Sequence, residues 1–161
     1  MRKSKINISG FKIGTAENRE GLTGVTVILA PDGGATAGVD VRGCAPGTRE
    51  TDLLDPRKTV QKIHAVVLSG GSAFGLEAAS GCVKYLAEQG VGFPIGNVCV
   101  PIVCSAVLFD LMIGDEKAYP DLLMGYEAAK SASSEFLSGC NGAGTGATVG
   151  KLLGFGNAMK S

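Results

Sequence analysis

Hydrophobic and polar positions divide the chain into a few clear segments. Gly24 to Ala30 (GVTVILA) is apolar and rich in β-branched residues, as a strand requires, and Pro31-Asp32-Gly33-Gly34 ends it as a turn. Ala35 to Arg42 (ATAGVDVR) resumes a strand-like pattern, so the two segments are expected to pair as a hairpin. Residues 43–56 combine turn formers with charges and predict a long loop with room for one helical turn. Ile63 to Leu68 is a continuous apolar run of strand length, broken by Ser69-Gly70-Gly71-Ser72. From Ala73 to Gln89, apolar residues at Phe74, Leu76, Ala78, Ala79, Val83 and Leu86 recur near helical spacing, and Gly90 is placed to close the helix. Val98 to Leu111 is a third apolar stretch whose start Pro101 turns into an edge or a bend. A second helix is expected over Asp121 to Ser133, with Leu122, Leu123, Tyr126 and Ala129 on one side. The order is mixed α/β rather than a clean βαβ alternation, which argues against a Rossmann fold. With no internal repeat and no linker-like break apparent, residues 1–161 read as one domain.

Composition narrows the function classes. Hydrophobic residues are 45% of the 161, enough to fill a core and too many for a disordered tail. Lys+Arg and Asp+Glu both number 15, so no basic face is on offer to a nucleic acid or an anionic membrane. No apolar run approaches the roughly 18 residues of a membrane span, and the basic start Met1 to Lys5 has no apolar stretch behind it. A cytoplasmic location is the expectation.

Glycine is the outlier, with 25 residues. Gly142 to Lys151 (GAGTGATVGK) invites a phosphate-loop reading and fails it. Thr145 stands where the loop needs its first glycine, and Leu152 follows the lysine in place of Ser or Thr. The dinucleotide pattern also fails, because the third glycine comes one residue early. Glycines permitting close chain packing, or a role for Thr145 and Lys151, remain as readings. Ser69 to Gly75 is a strand-to-helix turn with hydroxyls at a helix start, suited either to an anion or developing oxyanion or to plain capping by Ser72. Ser69 lacks the G-x-S-x-G elbow of a serine nucleophile. His64, the single histidine, sits in an apolar strand and reads as a core residue. The cysteines (Cys44, Cys82, Cys99, Cys104, Cys140) are odd in number and lack metal spacing, so they are expected to be buried, reduced thiols; no metal or other cofactor is expected.

Four segments in this order then resemble a known family: GATAGVDVRGCAPGTRETDLLDP (34–56), IHAVVLSGGSAFGLEAASG (63–81), VPIVCSAVLFDL (100–111) and GAGTGATVGK (142–151). They are similar to the L-aminopeptidase/D-esterase, DmpA-type, self-processing hydrolases, which include β-peptidyl aminopeptidases and nylon-oligomer hydrolases. The resemblance implies an α/β fold, a four-layer α-β-β-α sandwich like that of N-terminal-nucleophile hydrolases. It also implies a precursor that cuts itself once, freeing an N-terminal Ser or Thr whose own amine serves as base, which suits a chain with one histidine. By the same resemblance Lys151 looks like the lysine beside the nucleophile, where it would orient the attacking hydroxyl or hold developing negative charge. Phe109-Asp110 aligns with a Tyr-Asp pair and lacks the phenol, so Phe109 becomes apolar pocket wall. Val107 stands where the aminopeptidase members carry the glutamate that holds a substrate ammonium, which opens the way to internal specificity.

The family's oxyanion asparagine and its nucleophile come after the region matching Lys151, so both are expected outside this chain. The resemblance therefore implies a partner chain carrying the nucleophile, an oligomer of αβ pairs, and small peptides or amides as substrates. Lys151 is the candidate catalytic residue, and Ser69, Gly70, Ser72, Phe109, Gly144 and Thr145 are the candidate substrate-binding residues. A non-catalytic assembly unit and an acyltransferase of the ornithine acetyltransferase type are the alternatives.

Overall fold

The computed structural model describes residues 2–160. Its strands are β1 (Arg2–Lys5), β2 (Lys12–Asn18), β3 (Thr23–Leu29), β4 (Thr48–Arg49), β5 (Ala65–Ser69), β6 (Phe93–Ile95), β7 (Val98–Val100), β8 (Val103–Val107), β9 (Glu135–Ser138), β10 (Thr148–Val149) and β11 (Met159–Lys160). The α-helices are α1 (Ala78–Glu88) and α2 (Leu122–Lys130). The main sheet has the order β2-β3-β5-β8-β4, with β5 and β8 parallel and the other neighbours antiparallel.

The expected hairpin does not form. Both edges of β3 are taken, by β2 from Lys12↔Leu29 to Asn18↔Thr23 and by β5 from Val25↔Ser69 to Leu29↔Ala65. Ala35 makes only an isolated bridge to Ile63, and residues 36–42 form no strand. The strand that wins this place, β2 (KIGTAEN), is polar at Lys12, Thr15, Glu17 and Asn18, so it carries little hydrophobic signal of its own.

Both helices pack on one face of the sheet. Val25, Val27, Ala65, Val67 and Val103 meet Ala78, Ala79, Cys82, Leu86, Ala128 and Ala129 in the core. The contact is close because glycine stands at the crossings. A Cβ at Gly81 would run into the Leu122 carbonyl oxygen, one at Gly125 into that of Ala78, and one at Gly14 into that of Ala128. This corrects the expected face of α2: Gly125, Ala128 and Ala129 are buried, while Leu123 is exposed and Leu122 lies at the margin. Small residues face inward because the backbones approach too closely for leucine.

Local signals fix the helix ends. The Asp121 carboxylate accepts the Met124 N–H at 2.8 Å and starts α2. Gly90, at φ +67°, turns the chain out of α1, and Val91 N–H reaches back to the Leu86 carbonyl at 2.9 Å. The first turns of the expected helix are 3₁₀, over Ser72–Glu77, before α1 begins. Pro101 divides the third apolar stretch into the exposed β7, paired with β6, and the largely buried β8.

The other sheet face carries no helix among the described residues. β9, paired with β1, and the 3₁₀ turn Gly142–Thr145 border it and leave an apolar groove of about 450 Å³.

Candidate functional site

Two strand-to-turn units face this groove and repeat one another. β5 ends in Leu68-Ser69-Gly70 and runs into the 3₁₀ turn Ser72–Glu77; β9 ends in Leu137-Ser138-Gly139 and runs into Gly142–Thr145. In each unit a second glycine follows five positions later. A Cβ at Gly75 would strike the carbonyl oxygen of Gly70, and one at Gly144 that of Gly139. Leu68, Ser69, Leu137 and Ser138 all line the groove. The sequence signal for this repeat, LSGGSAFG against LSGCNGAG, is eight residues long and too short to stand out from a glycine-rich background.

Each unit is tied by a carboxylate and by a threonine of β3. Asp110, 3% exposed, accepts the Gly71 N–H at 2.6 Å and the Thr23 hydroxyl at 2.8 Å. In the second unit the Glu17 carboxylate accepts the Gly142 N–H at 3.2 Å, and the Thr26 hydroxyl oxygen accepts the Ala143 N–H at 3.1 Å. The place that sequence reasoning offered to an external anion is thus filled by the protein's own Asp110. Ser72 makes no side-chain cap and has φ +52°, a strained left-handed conformation for a serine. Gly70 is buried, and a Cβ there would meet the Asp110 carboxylate and the Thr23 hydroxyl, so the position requires glycine. A Cβ at Gly146 would meet the same carboxylate. Sequence reasoning had no signal for Asp110 as the hub of these contacts.

The remaining candidates separate into two neighbouring places. Ser69 and Gly144 line the groove with Val107. Phe109 and Lys151 line a small crevice beside it, where the rings of Phe109 and Phe155 lie 5.4 Å apart. Lys151 is half-buried, and its Nζ donates to the Thr148 carbonyl at 2.6 Å. The two places adjoin along the chain: Leu108 and Ala147 of the groove are followed directly by Phe109 and Thr148 of the crevice. Thr145 is 4% exposed, and its hydroxyl has no hydrogen-bond partner among the described residues.

No serine–histidine pair is assembled. The Ser69 hydroxyl donates to the Gly70 carbonyl, and His64 Nδ1 accepts the Ile102 N–H at 3.1 Å. Burial holds the His64 pKa below its ordinary value. The thiols split. Burial raises the Cys82 pKa to about 12 and that of Cys104 to about 11, as expected for inert core cysteines. Cys44, Cys99 and Cys140 are exposed, contrary to expectation, because they lie in a loop, a surface hairpin and the turn after β9.

Comparison with known proteins places this arrangement. The profile of peptidase family S58 matches residues 5–159. An uncharacterized aminopeptidase of Mycobacterium tuberculosis is 47% identical over 131 residues, covering 81% of this chain and 38% of that protein. A 6-aminohexanoate-oligomer endohydrolase of Kocuria sp. is 36% identical over 149 residues, covering 92% of this chain and 39% of that protein. The structure of the L-aminopeptidase D-Ala-esterase/amidase of Ochrobactrum anthropi, described as a variant of the Ntn hydrolase fold, superposes with a TM-score of 0.67 at 18% identity. That match covers 86% of this chain and 42% of the other. The chain therefore has this α/β fold, and it spans about two fifths of the length of these relatives. Among the described residues, no helix is long and apolar enough to cross a membrane.

Proposed function

We propose that this chain, which belongs to peptidase family S58, is the front part of a self-processing amide hydrolase acting on peptides or small amides. The observation that carries the reading is the place of Lys151. It lies half-buried in an apolar crevice whose residues Phe109 and Thr148 directly follow the groove residues Leu108 and Ala147 along the chain. An ammonium held there against the Thr148 carbonyl can stabilise negative charge developing on a tetrahedral intermediate. Phe109 and Phe155 supply an apolar wall on one side of it.

The nucleophile, in this reading, is the N-terminal Ser or Thr of a second chain produced by self-cleavage, with its own amine as base. Ser69, Gly70, Ser72, Gly144 and Thr145 belong to the two turns that shape the substrate space, with Phe109 beside them. The domain spanning residues 1–161 contributes one helical and one sheet layer of the four-layer α-β-β-α sandwich. The second chain contributes the rest and covers the apolar sheet face, and the αβ pairs associate into a homo-oligomer in the cytoplasm. The exposure of Leu68, Leu137 and Val149 supports a covering partner.

The test is hydrolysis of amino-acid amides and p-nitroanilides by the purified complete protein, with the nucleophile-bearing second chain present, and by its Lys151→Ala variant. Turnover that falls about a hundredfold or more in the variant supports the reading. Absence of amidase and esterase activity in the wild type contradicts it.

A further inference from the structure

Resting on the amide-hydrolase reading, we propose that the Thr148 hydroxyl is a second hydrogen-bond donor in the Lys151 crevice. It and Lys151 Nζ together hold the oxygen on which negative charge develops during the reaction. Three buried side-chain hydroxyls, those of Ser105, Thr145 and Thr148, have no hydrogen-bond partner among the described residues. Thr148 alone of the three lines the crevice, where Lys151 is the one charged lining residue. The other walls, Phe109 and Phe155 among them, are apolar.

A buried hydroxyl without a partner costs free energy, and valine offers the same branched shape without that cost. Packing alone therefore favours valine at position 148. A hydroxyl there needs a partner from outside the described residues, and three features define its chemistry. Lys151 Nζ donates to the Thr148 carbonyl at 2.6 Å, which sets the ammonium beside the same residue and uses one of its three N–H groups. The crevice has a free volume of about 10 Å³, room for roughly one water-sized group. No carboxylate lines it, and an ammonium can only donate. The group that fits is a single oxygen with free lone pairs, accepting from the ammonium and from the hydroxyl. The oxygen of a tetrahedral intermediate meets that description, and its charge strengthens both hydrogen bonds. The Thr148 hydroxyl keeps its proton throughout.

The experiment compares the purified complete protein, second chain included, with its Thr148→Val and Thr148→Ser variants in the hydrolysis of an amino-acid p-nitroanilide. Losing one donor to a developing oxyanion lowers kcat by roughly 10²–10³-fold, and a loss of about a hundredfold is expected for Thr148→Val. KM should stay nearly unchanged, since the bond is made in the transition state. Thr148→Ser keeps the hydroxyl and should recover most of the turnover. The urea midpoint of Thr148→Val should match or exceed that of the wild type. Ser105→Ala removes an unpartnered buried hydroxyl that does not line the crevice, and it should leave kcat unchanged. A hydroxyl that only packs against the second chain gives the opposite pattern: Thr148→Val loses stability and keeps kcat. That result overturns the proposal, as does an equal loss of kcat in Ser105→Ala.

Should Thr148→Val fail to fold, a crystal structure of the wild-type complete protein with a peptide aldehyde decides the matter. The nucleophile's hydroxyl adds across the aldehyde C=O, and the resulting tetrahedral oxygen is expected about 2.5–3.2 Å from both Thr148 Oγ1 and Lys151 Nζ. An adduct oxygen held elsewhere, with water against Thr148, overturns the proposal. The two readings fail separately. A wild type without turnover removes the hydrolase reading and this proposal with it. Turnover that depends on Lys151 and survives Thr148→Val removes this proposal alone.

Discussion

Asp110 and Gly71 are joined by a buried hydrogen bond of 2.6 Å from the glycine N–H to the carboxylate. The pair connects the chain just after β8 to the turn after β5. Since β5 and β8 are parallel neighbours, the bond locks the ends of both strands where the groove begins. Gly70 and Gly146 both approach the same carboxylate, so the two glycine-rich segments that stand out in the sequence meet at one acid. Side chains at Gly70 and Gly146 would collide with this carboxylate.

Removing the acid should therefore cost stability. Asp110→Ala leaves the buried Gly71 N–H and the Thr23 hydroxyl without an acceptor, and a loss of about 3 kcal/mol is expected, since hydrogen bonds to charged groups net roughly 1.5–3 kcal/mol. Asp110→Asn keeps one acceptor oxygen and should lose less. Urea denaturation of the two variants checks the order. Equal stability of Asp110→Ala and wild type would show that the contact is dispensable.

Glycine at the helix crossings should be irreplaceable. Gly81→Ala and Gly125→Ala each push a methyl into a backbone carbonyl of the facing helix, so destabilisation of about 1–3 kcal/mol is expected from overpacking. Gly38→Ala is the control: nothing lies within 4 Å of its Cβ position. A thermal melt that moved equally for all three would contradict the close-packing account.

Acid should weaken the fold through His64. Its pKa is lower in the folded protein than in the unfolded chain, so the unfolded state binds the proton more readily between the two values. The stabilising contribution is complete above the ordinary histidine pKa and declines as the pH falls through the lowered one. Protonation also converts Nδ1 from acceptor to donor against the Ile102 N–H. His64→Asn keeps an acceptor without a titrating ring, and its stability should fall less steeply between pH 7 and pH 5 than that of the wild type, as followed by chemical denaturation.

Thiol labelling should read the burial pattern directly. In the native protein a thiol reagent should modify Cys44, Cys99 and Cys140 quickly, while Cys82 and Cys104 react only after unfolding. Peptide mapping by mass spectrometry identifies the sites. Fast native labelling of Cys82 would contradict its place in the core.

The sequence made some of this architecture legible because a few segments carry strong local signals. The β-branched run before Pro31, the apolar run into Ser69 and the Pro101 break each mark an element or its boundary. β2 was hidden because its apolar positions are few, even though it pairs with the next strand along the chain, β3. The face of α2 was misread because helical spacing draws attention to leucine, whereas the crossing with α1 selects for the smallest side chains. Candidate residues such as Ser69, Gly144 and Lys151 could be picked out from glycine motifs and resemblance. Asp110 entered only as part of the pair aligned with Tyr-Asp, and its role could not be read, since it comes from contacts with Thr23 and Gly71, far away along the chain.

The central claim is that a second polypeptide completes this chain, and the intact mass of the purified protein under denaturing conditions tests it most directly. The account predicts two polypeptides, one containing residues 1–161 and another beginning with Ser or Thr. A single species near 16.3 kDa, the mass of this chain alone, would contradict it.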